Sequence, residues 1–389
     1  MKKNLLGWLA MATMLVGTGC STDEVVNDYS PENAIQFGTY VGRDAQGRAS
    51  VIGDNELQQK GFGVFAYHTN GTYASSTKPN FMYNQQVEYS TDWKYDPVKY
   101  WPNNSADKVS FFAYAPYVET NADDNFSFST NSTVGDPMIT YTVNRTVKSQ
   151  EDLLWAVDVT DGLPFVSESK QSITGKINFQ FKHALSRIGF KVQAMIDKVN
   201  QNNTGDLDNA TDQSQSIASE TTIAVEKVEL IGKFHTSGIL NLNNTTANVP
   251  LWTPTTPTSD DGFVLNYNES ADDSNFDNSV AKNVTTAERV LNATDSYIMV
   301  IPQTFSASEK IKIKVTYTVT TVDGNLEESS SVVKNVIESD PFEFGFVAGN
   351  AYNFVLHLGL TSVKLSATVA DWNTVDGVDY TVNVPLNFN

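Results

Sequence analysis

The sequence contains little cysteine and little basic charge. Its 389 residues include one Cys, four His, and 26 Lys and Arg against 45 Asp and Glu, for a formal net charge of −19. A single Cys excludes a disulfide framework and a Cys-rich zinc or iron–sulfur site. The deficit of basic side chains argues against a nucleic-acid partner, because neutralising phosphates requires an excess of Lys and Arg.

Motifs of catalysis are also missing. The sequence has no G-x-S-x-G turn, no Gly-rich phosphate loop and no H-E-x-x-H zinc motif. Neighbouring acids such as Asp123–Asp124 and Asp260–Asp261 lie in polar stretches, whereas glycoside hydrolysis requires two carboxylates about 5–10 Å apart across a cleft. We therefore predict no catalytic residues, no metal site and no cofactor, and we expect a protein that is not an enzyme.

No apolar run has the length of about 20 residues that spans a membrane. The apolar segment Leu5–Val16 follows Lys2 and Lys3 and precedes small residues and Cys20, an order typical of a bacterial lipoprotein signal. We predict a signal peptide over residues 1–19, lipidation of Cys20 and a polar tether over 20–34. The precursor would then be lipid-anchored at the outer membrane or cell surface. Gly17 stands where such signals usually carry Leu, and a free Cys in an ordinary cleavage region is the alternative.

The rest of the chain has the alternation of short β-strands. In Ile311–Val319, apolar residues at every second position alternate with Lys and Thr, and Ile177–Phe181 and Ile188–Val192 repeat the pattern. Such alternation gives each strand one buried and one solvated face, as in antiparallel sandwiches. The pattern predicts an all-β fold. Because the chain is long for one sandwich, we expect two β-sandwich domains in tandem, over 35–172 and 173–389.

Several segments, in this order, resemble the fimbrillin family of Bacteroidetes. No single segment is specific, but their succession spans nearly the whole chain after the signal. The segments are Ile35–Gly38 (IQFG), Gly61–Tyr67 (GFGVFAY), Asn80–Asn84 (NFMYN), Asp92–Pro102 (DWKYDPVKYWP), Val109–Pro116 (VSFFAYAP), Asp152–Ala156 (DLLWA), Phe181–Val192 (FKHALSRIGFKV), Pro341–Tyr352 (PFEFGFVAGNAY) and Val369–Trp372 (VADW).

The resemblance implies a fold and a role. Fimbrillins are two-domain β-sandwich proteins of transthyretin-like, Greek-key type, and they are subunits of a surface fimbria that serves in cell adhesion. They are exported as lipoproteins and then cut by an Arg-specific protease, which releases the first strand. A strand of the next subunit fills the groove. The implied partners are other fimbrial subunits, of the same or another kind, with a host or bacterial surface ligand left open.

Carried onto this sequence, the resemblance assigns three groups of residues. The released strand would include Ile35 and Phe37 and end near Arg43. The cut would fall at Arg43 or Arg48, in a segment rich in Gly, Asp and Gln that we expect to be accessible. The donor strand would carry four apolar residues on one face, namely Tyr380, Val382, Val384 and Leu386.

Plainer interpretations of these residues stay open. Arg43 and Arg48 could be ordinary exposed residues, and residues 380–388 could be the last strand of their own domain. The aromatic residues of the DWKYDPVKYWP segment are expected to pack in the core, and an exposed sugar-binding platform is their alternative. The protein would then be a cell-surface glycan-binding lipoprotein that does not polymerise. His183 is expected to be a buried, hydrogen-bonded structural residue.

Overall fold

The computed structural model describes twelve stretches of the chain. They are residues 31–41, 52–120, 125–173, 175–195, 221–257, 259, 262–266, 275–293, 296–322, 330–359, 363–371 and 380–382. Cys20, Arg43, Arg48, Val384 and Leu386 lie outside these residues, so the predictions made for them stay predictions. Within the described stretches, no helix combines the length and the apolar character that crossing a membrane requires.

The described residues are nearly all β-structure, which confirms the all-β prediction. The helices of these described stretches are α1 (Asp54–Lys60), α2 (Asn278–Ala281) and the 3₁₀ turns Pro31–Asn33 and Val147–Ser149. The strands are β1 (Phe37–Tyr40), β2 (Phe62–Asn70), β3 (Met82–Tyr89), β4 (Trp93–Lys94), β5 (Asp107–Ala115), β6 (Phe126–Phe128), β7 (Met138–Thr142), β8 (Leu154–Asp158), β9 (Phe165–Glu168), β10 (Ile177–His183), β11 (Ser186–Ala194), β12 (Thr221–Ile231), β13 (Ser237–Asn241), β14 (Leu251–Pro254), β15 (Phe263–Asn266), β16 (Arg289–Val290), β17 (Ile298–Val300), β18 (Gln303–Phe305), β19 (Lys312–Val322), β20 (Ser330–Glu338), β21 (Phe344–Phe346), β22 (Asn350–Leu358), β23 (Val363–Asp371) and β24 (Tyr380–Val382).

The first large sheet has the order β1-β10-β8-β5-β2-β3-β4, with β9 paired to β5. Its central strands are buried on both faces. On β2, Phe62 and Val64 face one apolar cluster, whereas Phe65 and Tyr67 face another. Strands covered on both sides have continuous apolar runs rather than strict alternation, which explains why GFGVFAY and VSFFAYAP contain so few polar residues.

Two further sheets enclose the larger apolar cluster. One has the order β16-β11-β22-β23-β24, with β17 paired to β11, and the other has the order β15-β12-β19-β20. The alternating strand β19 buries Ile313, Val315 and Tyr317 in this cluster. Its Lys and Thr residues lie on the other face, as period-2 alternation requires.

Strand pairing does not follow the predicted boundary between residues 172 and 173. Strand β10 lies beyond that boundary but pairs with β1 and β8 of the first sheet. Strand β13 pairs with β7, in a sheet of order β14-β13-β7-β6 that joins both parts of the chain. The division into two tandem domains therefore stays a prediction, and the backbone pairing changes sheets after His183.

Candidate functional site

Strand β1 forms one end of the eight-stranded sheet. It pairs in parallel with β10, from Phe37 opposite Ile177 to Tyr40 opposite Gln180. Beyond the strand, the Ile177 N–H donates to the carbonyl of Gln36 over 2.8 Å. An end strand has one neighbour only, so losing β1 would expose the backbone edge of β10 and leave the order of the other strands unchanged.

The side chain of Phe37 is inserted into an aromatic pocket, which we define as the rings of Phe62, Tyr95, Phe111 and Phe179. Their centroids lie 6.1, 5.3, 6.0 and 5.5 Å from the Phe37 centroid, respectively. Phe37 is only 1% exposed. Three of the four pocket rings come from β2, β5 and β10, and Tyr95 comes just after β4. Each of these residues would stay in the protein if β1 left, so the departure of Phe37 would open an apolar cavity.

Ile35 extends this contact along the chain. Its N–H donates to the Lys99 carbonyl over 2.9 Å, and its carbonyl accepts from the Tyr95 hydroxyl over 2.9 Å. Burial raises the pKa of Tyr95 to about 12, so the hydroxyl keeps its proton and donates at neutral pH. We call the segment from Tyr95 to Trp101 the clasp. It holds the start of the first strand at Ile35 and Phe37 through hydrogen bonds and a ring contact.

The clasp explains the aromatic motif DWKYDPVKYWP. Trp93 packs against Phe62 at 4.9 Å between ring centroids, and Trp101 packs against Phe111 at 5.7 Å. Trp101 is buried, and Trp93 and Tyr95 are half-buried. The expectation of core packing is confirmed for these three residues. Sequence reasoning missed that Tyr95 contacts the predicted released strand at Ile35 and Phe37, because two segments 60 residues apart carry no local signal of their contact.

The chain is held on both sides of the stretch that contains Arg43 and Arg48. Before it, the Val41 N–H donates to Asp54 Oδ1 over 3.0 Å at the start of α1. After it, the Ile52 N–H donates to the buried Asp152 Oδ2 over 3.1 Å. The same Asp152 oxygen accepts from His183 Nδ1 over 2.8 Å at the end of β10. The structural, buried role expected for His183 is confirmed. Residues 42–51 are thus flanked by two bonded positions, Val41 at the start of α1 and Ile52 at Asp152, just before β8.

The predicted donor strand begins at the end of another sheet. Tyr380 and Val382 lie in β24, whose backbone pairs antiparallel with β23, with Tyr380 opposite Val369 and Val382 opposite Ala367. Val384 and Leu386 follow outside the described residues. The structure therefore places the candidate released strand and the start of the candidate donor in two different sheets, and does not bring them together within one chain.

Among the described residues, no group of three or more His, Cys, Asp or Glu side chains converges to hold a metal ion. The site is an end strand that pairs with β10 through its backbone and places the Phe37 ring among four aromatic rings. An exposed strand edge beside an apolar groove can accept an extended segment through main-chain hydrogen bonds and side-chain pockets.

Comparison with known proteins assigns the family. A family model described as fimbrillin-like matches residues 48–372. The chain belongs to the fimbrillin-like family. The match begins after β1 and ends before β24, so the two segments with predicted roles in assembly lie outside the matched region of this fimbrillin-like chain.

Individual proteins similar to the fimbrillin-like chain include a curated fimbrium subunit and a fimbrial protein of known structure. The fimbrium subunit Fim1C of Phocaeicola vulgatus is 33% identical over 196 residues, which is 48% of this chain and 50% of Fim1C. The alignment thus spans about half the length of that relative. A crystal structure of a fimbrial protein from Bacteroides vulgatus superposes with a TM-score of 0.62 at 21% identity, over 87% of this chain and 99% of the other, and shows a shared fold.

Proposed function

We propose that this chain is a structural and adhesive subunit of a surface fimbria. Its membership of the fimbrillin-like family supports the proposal, as does its similarity to a protein named as a fimbrium subunit. Other fimbrial subunits are its partners, and its location is the cell surface. The adhesive part of the role concerns a host or bacterial surface ligand.

The observation that carries the proposal is the arrangement of β1. Among the described strands it has one neighbour, yet it places Phe37 inside a pocket of four rings. A strand that only protected the sheet edge would not need to supply core side chains. Loss of β1 produces an unpaired backbone edge and an apolar groove in one step, which is the surface required for strand addition.

Maturation of the subunit would proceed in two steps. The chain is exported as a lipoprotein through residues 1–19 and Cys20, and an Arg-specific protease then cuts after Arg43 or Arg48. Both arginines lie between anchored flanks, with Val41 bound to Asp54 on one side and Ile52 bound to Asp152 on the other. A cut between these flanks separates β1 covalently from the rest of the sheet while α1 keeps its attachment.

The donor strand would come from residues 380–388 of a neighbouring subunit. The four apolar residues named above share one face of an extended segment, because side chains two apart point the same way. Among the described residues of the single chain, Tyr380–Val382 pairs with β23, and β24 ends its sheet.

The test is limited digestion of a chain lacking residues 1–20 with an Arg-specific protease, followed by intact mass and size-exclusion chromatography. We expect one early cut at Arg43 or Arg48, loss of the peptide containing β1, and oligomers whose size increases with concentration. Arg43→Gln and Arg48→Gln, alone and together, identify the bond that is cut.

Matched variants at Arg145 and Arg187 control for general loss of arginine, since both residues lie in the described fold. Arg145→Gln and Arg187→Gln should leave the early cut and the assembly intact. A double Arg43→Gln, Arg48→Gln chain that still assembles would contradict the processing step. A cut chain that loses β1 and stays monomeric at every concentration would contradict assembly by strand addition.

Export as a lipoprotein has its own test. Expressed in a Bacteroidetes host with an alkyne-labelled fatty acid, the full chain should incorporate the label and reach the cell surface. Cys20→Ser should abolish the label, whereas Ser21→Ala beside it should not. Equal labelling of the Cys20→Ser chain would exclude Cys20 as the lipid attachment site.

A further inference from the structure

Strand β20 has a long backbone edge on the side away from β19. Among the described strands it pairs with β19 alone, and it ends the sheet of order β15-β12-β19-β20. Val332 and Val336 on this strand are 62% and 56% exposed. A long edge strand with exposed apolar side chains is a template for pairing with another chain. The edge of β20 is therefore a candidate interaction surface, separate from the sheet that contains β1.

The hydrogen bonds of the sheet show which backbone groups of β20 point outward. Just beyond the strand, the Ser339 N–H donates to the Ile313 carbonyl over 2.8 Å, so the backbone of Ser339 faces β19. Successive residues of an antiparallel strand point their backbone groups alternately toward and away from the partner strand, and β20 pairs with β19 residue by residue along its length. The outward groups therefore belong to the even-numbered residues, namely Ser330, Val332, Lys334, Val336 and Glu338.

These outward groups restrict the registers in which a second copy of β20 can add to the edge. Two antiparallel strands form their hydrogen bonds between residues that point at each other, so an even-numbered residue must face an even-numbered residue. Lys334 can then face Lys334, an uncharged residue or Glu338 of the second copy. Like charges directly opposite destabilise a strand pair, and opposite charges stabilise it. Self-pairing therefore favours the register in which Lys334 of each copy faces Glu338 of the other.

We propose that two copies of this chain associate edge to edge through β20, antiparallel, about a twofold axis at Val336. When Lys334 faces Glu338 of the second copy, Val336 faces itself. The two Val336 side chains, each 56% exposed in the single chain, then cover one another. The two sheets of order β15-β12-β19-β20 join into one continuous sheet. Because a twofold contact is self-complementary, both charge pairs form together.

The ion pairs already present beside this edge agree with the arrangement. Lys334 Nζ lies 2.6 Å from Glu226 Oε2, and Glu338 Oε1 lies 2.7 Å from Lys312 Nζ. The contact places these two pairs in one row, in which Glu226 and Lys334 of one copy are followed by Glu338 and Lys312 of the other. The signs alternate along the row. Lys on an edge strand usually opposes pairing, and here Lys334 opposes the registers that do not give it an acid.

The contact is short, so its effect depends on how many copies take part. Its ladder covers Lys334–Glu338 of each copy, fewer than the roughly 20–30 residues a side of a standard interface. Two isolated copies should bind weakly, whereas copies arrayed along two neighbouring fimbriae would bind through many such contacts at once. This use in side-by-side contact of fimbriae rests on the proposed function. The pairing of β20 itself involves neither β1 nor the Arg-specific cut.

Disulfide formation tests the position of the axis, because a chain lacking residues 1–20 contains no Cys. In the proposed contact, the two Cα atoms at position 336 lie about 5.5 Å apart, a distance that a disulfide spans. The uncut Val336→Cys chain should therefore form a covalent dimer under mild oxidation.

Val332→Cys is the matched control. Val332 lies on the same face of β20 with similar exposure, but its two copies would lie about 26 Å apart in this register. We expect at least about tenfold less covalent dimer from Val332→Cys than from Val336→Cys. Equal yields from the two variants would overturn the axis at Val336.

An exchange of charges tests the register. In Lys334→Glu both facing positions are acidic, and in Glu338→Lys both are basic, so each variant alone should dimerise at least about tenfold more weakly than the wild type at low salt. A mixture of the two variants restores both opposite-charge pairs. Sedimentation velocity of the uncut chains measures the association. Lys60→Glu in α1 changes the net charge equally and should alter dimerisation less than about twofold.

The composition of the mixed dimers separates a specific contact from a change in folding. With Val336→Cys added to both charge variants, mass spectrometry of the disulfide-linked dimers should find an excess of dimers with one chain of each kind. A share no higher than random combination gives would overturn the register, because mixing does not rescue a folding defect. Thermal unfolding of each variant checks that the fold is retained.

The outcomes also separate this contact from the proposed function. If the uncut wild-type chain stays monomeric at every concentration and Val336→Cys forms no covalent dimer, the pairing of β20 is wrong. Assembly of the cut chain would still support the proposed function in that case. If the uncut chain dimerises through position 336 and the cut chain forms no larger oligomer, the β20 contact stands while strand addition at β1 fails.

Discussion

Two strands of this fold lie at the end of a sheet and differ in what they bury. Strand β1 ends the first sheet with four residues, and its Phe37 is 1% exposed. Strand β20 ends the sheet of β12 and β19 with nine residues, and its Val332, Val333 and Val336 are 62%, 50% and 56% exposed. The shorter strand is therefore the one that supplies core side chains.

The comparison shows two separate contributions to holding an edge strand. Strand β20 is held mainly by its backbone ladder with β19, which runs from Glu338 opposite Lys314 to Ser330 opposite Val322. Strand β1 has a short ladder, and its attachment comes from one deep ring and from the clasp at Tyr95. A strand held by a few side-chain contacts can be replaced by another segment that reproduces those contacts.

The largest difference in the free energy of unfolding should appear when one side chain is truncated on β1 and one on β20. Phe37→Ala in the uncut chain should lower the free energy of unfolding by about 3–5 kcal/mol, because it empties the aromatic pocket. Val336→Ala on β20 should change it by less than about 0.5 kcal/mol, because that side chain is mostly in solvent. Urea unfolding followed by tryptophan fluorescence measures both. Equal effects of the two substitutions would show that β1 is not anchored by Phe37.

The second largest effect on the free energy of unfolding should come from removing the buried carboxylate of Asp152. Asp152→Ala removes the acceptor for both the Ile52 N–H and His183 Nδ1. Leaving the partners of a buried pair unsatisfied costs about 3–5 kcal/mol, and we expect a value near the lower end. Proteolysis should also cleave faster near Ile52, because the flank after Arg48 loses its attachment.

A control for this substitution lies on the exposed edge. Glu338→Ala removes a solvent-exposed partner of Lys312, whose Nζ lies 2.7 Å from Glu338 Oε1, and the loss should be within about 1 kcal/mol. If Asp152→Ala and Glu338→Ala had the same effect on cleavage near Ile52, the anchoring role of Asp152 would be wrong.

Loss of the Tyr95 hydroxyl from the clasp should lower the free energy of unfolding by a smaller amount, and that amount should depend on pH. Tyr95→Phe removes the hydroxyl that donates to the Ile35 carbonyl, for a loss of about 1 kcal/mol at pH 8. The folded chain raises the pKa of Tyr95 from 10.0 to about 12 by burial. The stabilisation from the neutral hydroxyl is therefore complete below pH 10 and is lost as the pH rises from 10 to 12.

The measurement compares urea midpoints of wild type and Tyr95→Phe between pH 8 and pH 12. The advantage of the wild type should shrink above pH 10, because the unfolded tyrosine then loses its proton more readily than the folded one. Tyr89→Phe, a more exposed tyrosine of the same region, serves as the control. A difference between wild type and Tyr95→Phe that stays constant over this range would contradict a neutral hydroxyl in the clasp.

The smallest effect should come from an ion pair on β20. Lys334 Nζ lies 2.6 Å from Glu226 Oε2, and the Lys334 side chain is more than half exposed. Lys334→Ala should change the free energy of unfolding by about 0–0.5 kcal/mol. Added salt should remove this difference between the wild type and the variant, because it screens the ion pair. A loss comparable to that of Phe37→Ala would mean that exposed pairs, and not buried rings, hold the edge strands.

Strand type was predictable from sequence, whereas strand partners were not. The alternation at Ile313, Val315 and Tyr317 correctly predicted β19, because period-2 patterns report which face is buried. The consecutive strands β10 and β11 have the same alternation but pair in different sheets. Alternation shows which side chains of a strand are buried, but it does not show which strand lies next to it. The pairing of β10 with the first sheet therefore could not be used to place the predicted boundary at residue 172.

The candidate site was predictable in its parts. Ile35 and Phe37 were selected as a strand and the DWKYDPVKYWP segment as core packing, both from the sequence. Their contact in one pocket depends on the fold, since β2, β5 and β10 must first come together. The roles of Arg43, Arg48 and Leu386 stay predictions, because these residues lie outside the described part of the chain.

Replacement of β1 by a second strand is tested most directly by hydrogen–deuterium exchange of β10, read by mass spectrometry of the peptide over residues 177–183. Exchange should be slow in the uncut chain, where β1 covers this strand and the Ile177 N–H is bonded to Gln36. Exchange should become faster in the cut monomer and slow again in the assembled oligomer. Unchanged exchange after the cut, or exchange that stays fast in the oligomer, would contradict the claim that a second strand replaces β1.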